Sequence, residues 1–245
     1  MCGRALAGFS LVPVCASCLE PPLPFAPESA CLRCRTPFLN ARPLSERGLC
    51  RLCEAGATAY DGAWCCGAYE GGLRELIHLF KYERMLPLGR VFGQMMTRAY
   101  PRDQFFEMLA PVPSHWRRRL WRGFDPAAVL ARELSRRTAI PAVEALRRRR
   151  HTPRQAGLTR RQRRDNVRGC FEAARPEAVR GRRVLLIDDV LTTGATANAA
   201  AAALRAAGAA HVGVFTLARA GRAALSSPPP LAGSPVEVPA YEHEH

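Results

Sequence analysis

The chain has 245 residues, 48% apolar and 23% charged, a balance that supports one or two folded domains and excludes a chain that stays disordered. No stretch of 18 apolar residues occurs, so no membrane-spanning helix and no membrane insertion are expected. The formal charge of +15 points to anionic partners, phosphates, nucleotides or nucleic acid, though Lys81 is the only lysine among 36 cations and arginine-rich coding accounts for part of the excess.

The first element is a cysteine- and proline-rich module over residues 1–60. It holds three C-x-x-C pairs, Cys15/Cys18, Cys31/Cys34 and Cys50/Cys53. The apolar segment Ala5–Val14 leads into Val12-Pro13-Val14-Cys15, which lacks the small residues of a cleavage site, so a cytoplasmic protein with reduced thiols is expected. Reduced C-x-x-C pairs read as metal ligands, and a module with so few periodic apolar residues needs a metal staple.

From Ala63 the pattern alternates, and residues 61–225 read as one α/β domain. Ala63–Tyr69 is a first strand. Gly72–Tyr82, with Leu73, Leu76, Ile77 and Phe80 at helical spacing, is an amphipathic helix. Met108–Pro113 reads as a strand and Pro126–Arg137 as a helix. Arg147–Asn166 is dense in arginine without apolar period, hence a mobile surface loop. Arg183–Asp188 is a short apolar strand buried on both faces, followed by a turn, an alanine-rich helix ending at Gly208 and a strand near Val212–Leu217. That order is a βαβ unit, so the fold class is α/β with a mainly parallel sheet flanked by helices. Residues 226–245, rich in proline, form a disordered tail.

Cys31/Cys34 and Cys50/Cys53, separated by 15 residues, suit one closed tetrahedral site of four thiolates, a structural Zn²⁺. Cys15 and Cys18 with Cys2 offer an incomplete second site. The alternative pairs Cys15/Cys18 with Cys31/Cys34, and Cys50/Cys53 with Cys65/Cys66. Cys65, Cys66 and Cys170 lie in apolar surroundings and read as buried structural cysteines.

The most informative run is Val184-Leu-Leu-Ile-Asp188-Asp189-Val-Leu-Thr192-Thr193-Gly194-Ala195-Thr196. A buried strand delivers two carboxylates at its carboxyl end, and a threonine-rich turn then opens a helix whose unpaired N–H groups and dipole favour an anion. Gly194 permits close approach of a phosphate, and the threonine hydroxyls donate to it. A capped helix with solvated acids is the plain alternative. A receiver-type acid pair fails because too little chain follows, and a Walker A loop fails for want of Gly-Lys-Ser/Thr. A 5-phosphoribosyl site, its acids accepting from sugar hydroxyls, accounts for every residue type in the turn.

This turn resembles the phosphoribosyl diphosphate (PRPP) motif of type I phosphoribosyltransferases, and residues 15 to about 220 resemble the ComF family, a zinc ribbon before such a domain. Further likeness lies in Tyr69–Tyr82, Pro111-Val112-Pro113, Arg122-Gly123-Phe124, Thr152-Pro153-x-Gln155-x-x-Leu158 and Arg164-x-Asn166-Val167-x-Gly169. Where the family usually has Asn-Gln after Gly-Phe, this chain has Asp125-Pro126. The resemblance implies that Asp188 and Asp189 hold the ribose diol and that residues Thr192, Thr193, Gly194, Ala195 and Thr196 cradle the 5-phosphate. It further implies that Pro113 and Ser114 meet diphosphate, that Mg²⁺ accompanies PRPP, and that Arg147–Asn166 forms a flexible hood.

Lys81 is read as a compact ammonium near phosphate, and Arg160, Arg161, Arg163 and Arg164 as hood cations. His115 and His151 are given no catalytic part. The expected activity is transfer of a phosphoribosyl group with release of diphosphate, linked to DNA uptake and competence proteins, to an acceptor the sequence does not define. The alternative is a non-catalytic module that senses PRPP or holds single-stranded DNA, with Trp116 and Trp121 stacking bases among arginines. Packing of both tryptophans beneath the loop is the favoured expectation.

Overall fold

The computed structural model describes residues 12, 14, 15, 29–38, 44–149 and 169–220. Within them, β1 (Ser29–Ala30) and β2 (Pro37–Phe38) pair antiparallel and α1 (Arg51–Glu54) closes the cysteine module. There follow β3 (Gly62–Ala68), α2 (Gly71–Tyr82), α3 (Leu88–Arg98), β4 (Met108–Pro111), α4 (Trp116–Arg122) and α5 (Pro126–Thr138). The chain continues through β5 (Leu146–Arg148), β6 (Phe171–Ala173), α6 (Pro176–Val179), β7 (Arg183–Leu191), α7 (Ala195–Ala206) and β8 (His211–Arg219).

The expected α/β class holds. Four parallel strands form one sheet in the order β3-β8-β7-β4, and a parallel bridge from Leu109 to Ala142 lies beyond β4. Val184, Leu185, Leu186 and Ile187 are wholly buried, because a central parallel strand is covered on both faces. Alternation along β7 divides these residues between two cores. Leu185 and Ile187 pack with Leu76, Phe80, Phe92 and Leu130 of α2, α3 and α5, whereas Val184 and Leu186 pack with Ala200, Ala201 and Leu204 of α7.

Three boundaries differ from expectation for local reasons. β4 stops at Pro111: Val112 N–H still donates to Ile187 (2.9 Å), but Pro113 has no N–H with which to continue. β7 runs past the acid pair to Leu191, because β8 is long enough to pair Leu191 with Arg219. The expected surface loop at Arg147–Asn166 begins as a strand instead: β5 pairs antiparallel with β6, and Leu146 and Phe171 are buried. Residues 150–168, which hold His151 and the remaining hood arginines, lie outside the described residues, as do Cys2, Cys18 and the tail at 226–245.

Among the described residues, the cysteine module shares its core with the sheet domain. Cys31, Cys34, Cys50 and Cys53 are buried in one apolar cluster with Tyr60, Ala63 and the inner face of α7. Ala63 N–H donates to Arg33 (2.8 Å), and Ala59 N–H donates to Asn198 Oδ1 (2.6 Å) on α7. The module therefore uses the sheet domain's apolar surface to compensate for its own shortage.

Candidate functional site

In an open parallel sheet, a crevice forms where successive connections leave in opposite directions. Here β7 passes through α7 to β8 on one side, while β4 passes through α5 to Ala142 on the other. The crevice lies at the carboxyl ends of β4 and β7, where Pro111 is paired with Ile187. The next two residues of β7 are Asp188 and Asp189, beyond the last partner on β4.

Alternation sends the two acids to opposite faces. Asp189 shares the face of Ile187 and meets Lys81 of α2, with Nζ 2.7 Å from Oδ1 and both side chains 15% exposed. Asp188 faces the other way and accepts from Asp189 N–H (2.9 Å). Burial pushes the Asp188 carboxyl up to about 8, and the neighbouring Asp189 charge adds to the rise. Burial likewise raises Asp125, the residue ahead of α5, with Asp189 again contributing. Asp125, Asp188 and Asp189 thus lie within electrostatic reach of one another, and Lys81, expected near phosphate, pairs here with Asp189.

After β7 the chain turns through Thr192 and Thr193, both partly buried, to Gly194. Gly194 has φ 77°, the left-handed region, and a Cβ built there would lie 3.2 Å from the Tyr60 hydroxyl. The backbone conformation calls for glycine, and a side chain there would also press on the Tyr60 hydroxyl. Thr193 Oγ1 accepts from Ala195 N–H (3.3 Å), and Thr196 lies in the first turn of α7. The α7 N-terminus therefore opens beside the acid pair, the geometry of an anion-binding turn.

Across the crevice, Pro113 and Ser114 follow β4. Ser114 N–H and Oγ donate to the two oxygens of Asp125 (2.8 and 3.1 Å), whose Oδ1 also accepts from Ala127 N–H (3.2 Å) as the N-cap of α5. One carboxylate thus fixes both a helix start and the loop beside the acids. His115 Nδ1 accepts from Arg117 N–H (3.2 Å) and caps α4, a structural part.

Trp116 and Trp121 are expected beneath a loop, and most of the Arg147–Asn166 loop lies outside the described residues. The two tryptophans are 57% and 55% exposed, with Arg117 over Trp116 at 5.3 Å and Arg84 over Trp121 at 5.8 Å. Arg122 is the buried residue of α4, its guanidinium 5.2 Å above the Tyr82 ring. A stacked arginine, inward where an apolar side chain is usual, leaves the tryptophans outside.

The sulfurs of Cys31, Cys34, Cys50 and Cys53 lie within 4.8 Å of one another, with 3.7 Å between Cys34 and Cys50. A tetrahedron of Zn–S bonds near 2.3 Å has edges of about 3.8 Å, so this donor set fits a zinc ion. Cys50 N–H donates to Cys31 Sγ (3.3 Å), and hydrogen bonds from Cys34 and Cys53 hold the Cys31 thiol far below its ordinary range. This is the first of the two pairings expected, and the alternative with Cys65/Cys66 is excluded by the placement of Cys66 in the opposite core. Burial pushes Cys65 up to about 12, in keeping with a structural thiol. Cys15 is partly buried, and its expected companions Cys2 and Cys18 are outside the described residues.

Three residues escaped the sequence reading. Asp125 precedes Pro126, and Asp before Pro is a helix-start signal that marks it as a cap. Arg148, partly buried and stacked over Phe171 at 5.4 Å, feels the Asp188 charge but is hidden in an arginine run. Arg219 is 3% exposed at the end of a mostly apolar strand, a charge whose position was the available signal.

A parallel sheet that opens at its switch point onto an acid pair and a threonine turn defines a phosphoribosyltransferase-type domain, and residues 121–229 match the phosphoribosyl transferase domain family. Competence protein F of Haemophilus influenzae is 33% identical over 180 residues, 70% of this chain and 78% of that protein. DNA utilization protein YhgH of Escherichia coli K12 is 30% identical over 226 residues, covering 77% of this chain and 96% of its own. Competence protein ComFC of Bacillus subtilis is 28% identical over 212 residues, 78% of this chain and 85% of that one. The chain belongs to the ComF family. Among described residues no helix is long and apolar enough to cross a membrane.

Proposed function

We propose that this protein binds PRPP with Mg²⁺ in the β4/β7 crevice and transfers the phosphoribosyl group to an acceptor, releasing diphosphate, in the cytoplasmic handling of DNA during competence. The carrying observation is the placement of Asp188 and Asp189 just past the end of β4, between the α7 turn and the Ser114 loop. Asp188 and Asp189 accept from the ribose hydroxyls. Backbone amides of the turn, with Thr192, Thr193 and Thr196, donate to the 5-phosphate, and the Pro113–Ser114 loop, held by Asp125, faces the diphosphate. Lys81 neutralises Asp189 before ligand arrives, limiting repulsion of a polyanion. Magnesium, when bound, offsets charge on the diphosphate. The cysteine quartet, read as a closed structural zinc site, stands outside the chemistry. The names of the relatives support the link to competence and DNA use.

The test is diphosphate release from PRPP and Mg²⁺ with a panel of nucleobases, amines and single-stranded oligonucleotides. Release with at least one acceptor, abolished in Asp189→Ala, is expected. PRPP binding without release from any acceptor rejects the transfer step.

The exposed tryptophans favour a second reading, in which the protein holds single-stranded DNA. Trp116 and Trp121, interleaved with Arg84, Arg117, Arg118 and Arg119, offer stacking planes beside cations. Oligonucleotide binding that weakens steeply with salt, survives Asp188→Ala/Asp189→Ala and is lost in Trp116→Ala/Trp121→Ala supports it. Binding indifferent to both tryptophans rejects it.

A further inference from the structure

We infer that Arg219 is a positioning residue that couples the cysteine quartet to the phosphate turn, so that metal at one and a phosphorylated ribose at the other strengthen each other's binding. Arg219 ends β8 opposite Leu191, the last residue of β7 before the turn. Its Nη1 donates to the Leu191 carbonyl (3.2 Å), which also accepts from Ala220 N–H (3.0 Å). Its Nη2 donates to Thr36 Oγ1 (2.5 Å), and that oxygen lies 3.0 Å from Cys34 Sγ. One rigid guanidinium fork thus joins the carbonyl that precedes Thr192 to the hydroxyl beside a candidate metal ligand.

The burial of this cation needs an explanation. Both of these partners are neutral oxygens, yet a buried charge is stable only when it is compensated. Four thiolates around a divalent ion carry a formal excess of two negative charges, and Thr36 places Arg219 against that cluster. With metal bound, the guanidinium is held by the cluster's charge and in turn holds Leu191. Without metal that charge goes, Arg219 is freed to seek solvent, and the turn loses an anchor. The Tyr60 hydroxyl beside Gly194 and the Ala59–Asn198 bond tie the same two regions sterically, so Arg219 is the electrostatic member of a wider joint. Reciprocity follows from linkage: a ligand that orders the turn must slow metal loss by the factor with which metal raises that ligand's affinity.

The ribose half of this inference rests on the function proposed above, and the coupling itself is read from protein amides. The measurement is hydrogen exchange at Thr192–Thr196 in the full chain, zinc-loaded and chelator-stripped, for wild type, Arg219→Met and Thr36→Val. Thr36→Val is nearly isosteric and leaves the sheet untouched, which guards against a variant that fails to fold. Stripping is expected to raise turn exchange about tenfold in wild type, the size of one lost charge-assisted bond. Both variants should exchange about tenfold faster while still loaded, and stripping should add little. Turn exchange unchanged in both loaded variants, or stripping that acts on them as strongly as on wild type, overturns the coupling. In a second arm, ribose 5-phosphate slows zinc transfer to a chelator in wild type and does so far less in Thr36→Val. If wild type fails to bind ribose 5-phosphate, the ribose reading falls and the exchange results alone decide the coupling.

Discussion

Asp188→Asn separates what the acid does for the fold from what it does for the ligand. The wild-type carboxyl ordinarily titrates near 3.8 and is pushed to about 8, chiefly by burial and then by Asp189. A folded state that holds a proton more tightly than the unfolded chain gains from that proton. Stability from this group is therefore full below about 4 and is lost as pH rises from there through about 8. At pH 7 the gap from 3.8 is about 3.2 pH units, which at ~1.36 kcal/mol each makes Asp188 a liability of about 4 kcal/mol. Asparagine keeps an acceptor for Asp189 N–H, the 2.9 Å bond, and removes the charge. The assay is urea unfolding of both proteins from pH 4 to pH 9. The curves should nearly coincide at pH 4 and diverge as pH rises, with the variant about 4 kcal/mol more stable at pH 7 and a weaker acceptor for a ribose diol. Parallel curves would refute the burial argument. Wild-type stability that climbs with pH relative to the variant would reverse it.

Two further perturbations test the crevice walls. Asp125→Ala removes the N-cap of α5 and strands the partly buried Ser114 N–H; a loss of about 2 kcal/mol is expected by thermal unfolding, with Asp125→Asn recovering most of it. Gly194→Ala forces a methyl group into the left-handed region and toward the Tyr60 hydroxyl, for a loss of about 1–2 kcal/mol; Tyr60→Phe in the same chain should relieve part of it, and no relief would mean that backbone conformation alone sets the requirement.

What the sequence made legible was local. The run Val184–Ile187 has the length and composition of a strand buried on both faces, and Leu73, Leu76, Ile77 and Phe80 lie at the spacing of one helical face; both packed as expected. The acid pair and threonine turn were readable because strand, turn and helix follow one another within a short stretch. Asp125, Arg148 and Arg219 were not readable in this way, since each acquires its role from a partner distant in sequence. Arg219 illustrates the difficulty: its contacts to Leu191 and Thr36 exist only once β8 lies beside β7 and the cysteine module is packed on the sheet. Trp116 and Trp121 show the converse. Aromatic residues are expected inside, but Arg122 stacked on Tyr82 takes the inward position on a seven-residue helix, and the tryptophans face solvent. The cysteine pairing was legible from spacing, whereas the shared core beneath it was not.

The crevice at the ends of β4 and β7 is proposed to receive a phosphorylated ribose bearing diphosphate. Calorimetric titration of PRPP with Mg²⁺ into the full chain tests it most directly. One site per chain is expected, with affinity reduced at least about 100-fold in Asp188→Ala/Asp189→Ala, the loss of both acceptors for the ribose diol. No binding by wild type, or equal binding by the double variant, would contradict it.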